Sequence, residues 1–250
     1  MSGHSKWHSI KHKKAAVDAK RGKLFSKIIR EIQVAARVGG GDTNTNPRLR
    51  KAVTEAKSNG MAADTIKRAI QRGTGELEGT DYEEILYEGT GPGGTLFLIE
   101  VMTDNKNRTV AELRKLLEKH GGSLGSSGSA QWAFDRKGII TIAREDATEE
   151  QLMEVAVGAG AEDYSDEGEE WQVLTDTGDM DTVVSALEEE KIEPSSNEVG
   201  YVPKSKKPLS GREAEKCLNM FEALDDHDDC QNVYADFDIS DEELARITGE

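Results

Sequence analysis

The chain has 250 residues, 36% apolar, 5% aromatic and 32% charged, so several modest cores are expected rather than one large one. Two cysteines, Cys217 and Cys230, make no disulfide framework and fit a reducing cytosol; no run approaches the roughly eighteen apolar residues of a membrane span. The formal charge of -16 is polarised, because residues 1–73 hold seventeen Lys or Arg against five acids whereas residues 74–250 hold fifteen against forty-three. A polyanion would therefore be met by one end of the molecule in an oriented contact. The basic N-terminus is not followed by an apolar signal region, so a cytoplasmic protein with no membrane contact is expected.

Residues 1–19 lack a helical period, and Gly22 would weaken a helix running through it, so an arm is expected there. Up to Arg30 the chain carries nine Lys or Arg against one acid, Asp18, with Trp7 and three histidines among them. Cations at that density suit a surface that follows a phosphate backbone and releases its counterions. Residues 23–38 turn helical. Leu24, Phe25, Ile28, Ile29, Ile32, Ala35 and Ala36 share one side, Lys20, Lys23, Lys27, Arg30 and Arg37 the other, and Gly39 to Gly41 end the helix. Asn46 and Pro47 then predict the start of a helix carrying Leu49, Ala52, Val53 and Ala56, and a third helix near 62–72 buries Ile66, Ala69 and Ile70. The three make a small bundle, whose further cations include Arg48 and Arg50.

After a linker at 73–81 the period becomes that of strands, with 84–89 and 95–102 flanking a glycine-rich turn. Asp104 or Asn105 caps a helix over 107–120, and a glycine and serine loop at 121–129 leads into 130–134. Residues 138–202 read strand, helix, strand, strand, helix, strand, the ferredoxin-like order. A helix at 211–224 and a strand at 232–237 lack partners unless they return to the earlier strands.

Reading 95–134 as βαββ, closed by that late helix and strand, gives an α+β multidomain chain. It has an N-terminal three-helix bundle followed by two ferredoxin-like α+β domains, the second inserted into the first. The expected divisions are 1–79 for the basic arm and bundle, 80–135 with 205–239, and the insertion 136–204. An acidic tail at 240–250, a frayed helix capped by Ser240 and Glu243, completes the chain. A serial three-domain chain is the alternative.

Several motifs carry a family resemblance. They are Gly3-His4-Ser5-Lys6-Trp7, Ile10-Lys11-His12, Lys14, Asp18-Ala19, Arg21-Gly22-Lys23, Phe25-Ser26-Lys27 and Arg30-Glu31, followed by Asn46-Pro47-Arg48-Leu49-Arg50. Tyr87-Glu88-Gly89, Gly91-Pro92-Gly93-Gly94, Thr103-Asp104-Asn105, Asn107-Arg108-Thr109 and Lys119-His120-Gly121-Gly122 extend it to about Ile239. With these the chain resembles the YebC family, which includes the mitochondrial translational activator of cytochrome c oxidase. One departure is Gly60-Met61-Ala62, where the family tends to have Asn-Met-Pro, so the third helix loses a proline start. The resemblance implies one helical and two mixed domains and a role in gene expression, as a DNA-binding transcriptional regulator or as a ribosome-associated factor that helps difficult stretches of translation.

Chemistry beyond binding finds little support. His4, His8 and His12 recur every fourth residue, but the surrounding lysines repel a cation, so no metal is expected there. The turn from Gly89 to Gly94 lacks the Gly-Lys-Ser/Thr ending of a phosphate loop. Asp225-Asp226-His227-Asp228-Asp229 departs from a calcium loop at its sixth and twelfth positions, Cys230 and Asp236, and reads as an acidic surface loop. No Gly-x-Ser-x-Gly elbow and no His-Glu-x-x-His appears, so no enzymatic activity, cofactor or small-molecule substrate is expected. Trp132, Phe134 and Trp171 are expected in cores rather than on an RNA-reading sheet face.

Binding then falls to His4, Lys6, Trp7, Lys11, His12, Lys14, Lys20, Arg21, Lys23, Lys27 and Arg30, with Arg48 and Arg50 in the bundle. Asn107 and Arg108 add a candidate phosphate site at a helix N-terminus, where ordinary capping is the competing reading. The expected function is that of a non-enzymatic nucleic-acid-binding regulator acting on duplex DNA. Ribosomal RNA on the ribosome is the alternative target, and a protein adaptor with an acidic body the more distant one.

Overall fold

The computed structural model describes residues 17–248. The expectations for His4, Lys6, Trp7, Lys11, His12 and Lys14 fall outside those residues, as does the side chain of Lys20.

Helix α1, Val17–Gly39, reaches back through Gly22, where a helix was not expected. An interior glycine costs about 1 kcal/mol relative to alanine. That is small against the burial of Ile28, Ile32, Ala35 and Ala36 on the same helix. Helix α2, Pro47–Ser58, begins as the Asn-Pro pair predicts, and the buried Asn46 side chain joins two helix ends. Its Oδ1 accepts from Leu49 N at 3.1 Å while its Nδ2 donates to Ala35 O at 2.8 Å and Gly40 O at 2.9 Å. Helix α3, Ala63–Gly73, starts after Ala62, whose side chain offers no cap. It ends hard against α1, where a Cβ on Gly73 would lie 2.4 Å from Gln33 O, so only glycine fits.

Strands β1, Glu83–Thr90, and β2, Leu96–Thr103, form a hairpin paired from Glu83↔Thr103 to Thr90↔Leu96. Helix α4, Lys106–Lys119, follows, then a two-residue strand β3, Ser123–Leu124. The chain leaves this sheet to build a second, made of β4, Phe134–Ala143, β5, Ala161–Asp166, β6, Glu170–Thr175, and β7, Ser196–Pro203. Helix α5, Glu149–Leu152, opens on a capping box at Thr148 and Gln151 and continues as a π-turn over Met153–Val157; helix α6 is Met180–Glu189. The order β5-β6-β4-β7 is the ferredoxin-like one, as the sequence predicted.

Strand β8, Lys207–Leu209, helix α7, Gly211–Asp225, and strand β9, Cys230–Ala235, bring the chain back. β9 pairs with β2 to complete the order β3-β1-β2-β9, and β10, Phe237–Ile239, runs parallel to β8. Helix α8, Asp241–Thr248, buries Leu244 in the same core and is not a bare tail.

One expectation is corrected. Residues 130–134 do not supply a strand of the first sheet. β1 enters from the bundle, seals the edge of β2, and leaves room outside itself only for the short β3. Gln131–Ala133 is instead a single helical turn, and Phe134 opens β4 of the other sheet opposite Pro203.

Charge follows this architecture. Residues 134–203 hold four Lys or Arg and twenty acids, so this segment alone accounts for the net -16 of the whole chain.

Candidate nucleic-acid interface

The basic stripe of α1 meets a surface of the same chain. Its polar side faces the loop between α7 and β9, Asp225 to Asp229, which had read as a solvated acidic loop. Lys23 Nζ lies 2.6 Å from Asp226 Oδ2 and donates to Asp226 O at 2.9 Å. One turn on, Lys27 Nζ reaches Asp225 O at 3.0 Å, Asp225 Oδ1 at 3.5 Å and Gln231 O at 3.3 Å. Arg30 donates to Asp228 O and stands 3.5 Å from Asp229 Oδ1. The spacing of these cations at successive turns matches a row of carboxylates, which is why an amphipathic helix can dock by its charged side.

Asp229 is the buried anchor of the loop. Its Oδ2 accepts from Arg108 Nη2 at 2.8 Å and from Thr109 Oγ1 at 2.7 Å. Burial alone would raise this carboxyl; the hydrogen bonds from Arg108 and Thr109 and the charges of Arg108 and Arg30 outweigh it and hold it below the ordinary range. Asn105 Oδ1 accepts from Arg108 N at 3.1 Å, so the start of α4 is capped by its own side chain while Arg108 also reaches Asp104 at 2.9 Å. Asn107 sits exposed in the same first turn.

Between α1, α4 and this loop lies a cleft of about 630 Å³, bordered by Arg30, Tyr82, Arg108 and His227. Glu112, His227 and Asp229 each bring a ligand-type atom to within 4.8 Å of the others, but the set does not fit a metal. His227 Nδ1 accepts from Asp229 N at 3.1 Å, which places the proton of a neutral ring on Nε2, 3.1 Å from Glu112 Oε2. That nitrogen donates and has no lone pair to offer, and Arg108 already covers Asp229.

The other expected cations are dispersed. Arg21 reaches Asn59 O at 3.5 Å, with its guanidinium 5.4 Å from the centre of the Phe25 ring. Arg37 pairs with the exposed Asp81 at 2.9 Å. Arg48 forks between Glu31 and Glu84, at 2.6 Å to each, and ties the bundle to β1; those two carboxylates raise its pKa. Arg50 donates to Thr43 O at 3.3 Å from an exposed position. The structure therefore gathers Lys23, Lys27, Arg30 and Arg108 around one acidic loop and leaves Arg21, Arg48 and Arg50 apart. Phe134 and Trp171 are buried as expected, whereas Trp132 is 67% exposed, so its assignment to a core is corrected.

Comparison with known proteins places the chain. The family described as TACO1/YebC protein N-terminal domain matches residues 5–76, and that described as TACO1/YebC second and third domain matches residues 82–237. A probable transcriptional regulatory protein of Desulforapulum autotrophicum is 54% identical over 242 residues, covering 97% of this chain and 98% of that relative. One of Geobacter sulfurreducens is 52% identical over 247 residues, covering 99% and 100%. The crystal structure of a conserved hypothetical protein from Aquifex aeolicus superposes with a TM-score of 0.86 at 43% identity, covering 94% of this chain and 97% of that one. With both family descriptions matched in chain order and relatives similar over their whole length, the chain belongs to the TACO1/YebC family.

Proposed function

We propose that the protein is a non-enzymatic regulator of gene expression that binds nucleic acid through its N-terminal region. One observation carries this reading: the polar side of α1 already holds a run of negative charges, Asp225, Asp226 and Asp229, through cations spaced one turn apart. A phosphate backbone presents charge in a comparable row, and such contacts give affinity with little sequence preference. The names of the relatives, probable transcriptional regulatory proteins, support duplex DNA as the target and transcription as the process. In this reading residues 1–79 bind, 80–135 with 205–239 dock them, and 136–204 form an acidic insertion that keeps polyanions from approaching elsewhere.

A second reading takes ribosomal RNA as the target. It is favoured by the docking of α1, which ties its polar side to its own chain and so suits contact with an irregular backbone better than insertion into a major groove.

The test uses cations outside the docked helix. Replacing Lys6, Lys11 and Lys14 with glutamine is expected to weaken binding to duplex DNA or ribosomal RNA and to lower the slope of log affinity against log salt by about two to three. A slope equal to that of the unaltered protein overturns the assignment. The target giving the steeper slope in the unaltered protein decides between the two readings.

A further inference from the structure

Trp132 stands out among the described aromatic residues. It is 67% exposed, whereas Trp171 is 2% exposed. Its position is fixed by the backbone around it. Ala130 and Ala133 pack on either side into a cluster with Leu98, Phe134 and Tyr234. Glu88, 4% exposed, accepts from Gly128 N at 2.6 Å, Ala130 N at 2.5 Å and Gln131 N at 2.8 Å. Gly128 takes φ 83°, a left-handed conformation that other residues adopt with strain. The indole N–H donates to Ser129 O at 3.0 Å, which satisfies its polar edge and leaves the ring faces as the recognition surface. A buried carboxylate thus fixes a loop whose product is an exposed, pre-organised ring.

Cations flank it. Residues 204–212 hold Lys204, Lys206, Lys207 and Arg212 and no acid, in a half of the chain that is otherwise strongly acidic. Lys204 Nζ lies 3.0 Å from Trp132 O, with Asp135 at 3.4 Å, and its side chain is half exposed. Lys207, exposed three residues on and so within about 10 Å along the chain, reaches Gly94 O at 3.2 Å. Lys206 points inward, with its ammonium buried, and is not part of the surface. Thr90 Oγ1 and Ser123 Oγ meet at 2.8 Å, which joins the end of β1 to the start of the serine-rich loop, and Lys207 contacts the turn that follows β1 through Gly94 O.

We propose that Trp132, Lys204 and Lys207 form a second nucleic-acid contact, in which an unpaired base stacks on the indole and the two ammonium groups hold the flanking phosphates. A ring beside paired cations is the combination that single strands use, because every base offers a π-face and every link a charge. Fixing the ring beforehand removes an ordering cost from binding. The site rests on the nucleic-acid reading above but uses none of its residues, so it fails separately.

The experiment uses the full chain and a fluorescein-labelled single-stranded oligonucleotide of about 20 nucleotides, as RNA and as DNA. W132A is expected to weaken binding on the order of tenfold, W132F to retain most of it, and K204E/K207E to weaken it comparably with a lower salt slope. In a W7F background the exposed tryptophan emission should be quenched as the strand binds, and in W7F/W132F that quenching should vanish. Equal affinity for W132A and the unaltered protein, with emission unmoved, overturns the site and leaves the patch to a protein partner. No binding by the unaltered protein overturns the nucleic-acid reading and this contact with it, whereas a lowered salt slope for the Lys6, Lys11 and Lys14 variant alongside an unaffected W132A overturns this contact alone.

Discussion

Lys23 and Asp226, 203 residues apart in the chain, meet with Nζ and Oδ2 2.6 Å from each other. The contact is the outermost of three along α1, and from Lys23 to Arg30 it becomes progressively drier: the Lys23 side chain is 42% exposed, Lys27 17% and Arg30 15%. Surface pairs contribute little and are screened by salt, so the outer end is the weak end. The bundle is therefore held firmly at Asp229 and loosely at Asp226.

A direct consequence concerns competition. If the stripe on α1 grips phosphates, the loop occupies the same cations in the free protein. Replacing Asp225 and Asp226 with asparagine is expected to raise nucleic-acid affinity about fivefold at low salt, on the basis of roughly 1 kcal/mol of weakened internal pairing. Fluorescence anisotropy against labelled duplex DNA and ribosomal RNA fragments measures it. Affinity unchanged by the double substitution means that the stripe serves only to dock the bundle.

Asp229 is expected to behave differently from its neighbours, because it is 3% exposed and two donors, Arg108 and Thr109, depend on it. D229A should destabilise the protein by about 2 kcal/mol, less than a fully buried pair because Arg108 is 42% exposed. The pH dependence has a definite sign. A carboxyl held below its unfolded value stabilises fully above that value, about 4 for aspartate, and the contribution is lost as pH falls through the lower folded value. Urea midpoints should therefore separate D229A from the unaltered protein at pH 7 and converge toward pH 3. A gap of the same size at both would mean that packing, not charge, is what Asp229 supplies.

The sequence announced the parts of this fold that are written locally. The period of Ile28, Ile32, Ala35 and Ala36 marked the inner side of α1, and Asn46 with Pro47 marked the start of α2. The second sheet was legible because its six elements follow one another, each next to a partner in sequence. The return of β9 to β2, Phe97↔Ala235, could be inferred only by noticing a helix and strand left without neighbours. The central place of β1 was missed because a hairpin pattern says nothing about which strand will lie at a sheet's middle. Trp132 was misread for a related reason: composition places tryptophan inside on average, while the exposure here is set by three backbone bonds to Glu88, forty residues away. The stripe on α1 was visible, but a charged helix side has the same pattern whether it faces water, phosphate or its own chain. The signal available was the matching run of four aspartates near the far end, which becomes informative only when both are considered together.

Asn46 offers the sharpest test of how the bundle is held, since one side chain serves α1 and α2 at once. N46A removes the cap on Leu49 N and both donors to the end of α1, and is expected to cost about 2 kcal/mol, the sum of a lost cap and unsatisfied carbonyls in a buried setting. N46D keeps an acceptor for Leu49 N but has no amide to donate to Ala35 O and Gly40 O, so it should fall between the two. Chemical denaturation ranks the three proteins. Amide hydrogen exchange then separates the roles: protection at Leu49 should survive in N46D and fall in N46A, while Gly40 N, bonded to Ala36 O at 2.9 Å, should lose protection in both. If N46D and N46A prove equally destabilised, the donors to α1 carry the whole effect and the cap on α2 contributes nothing measurable.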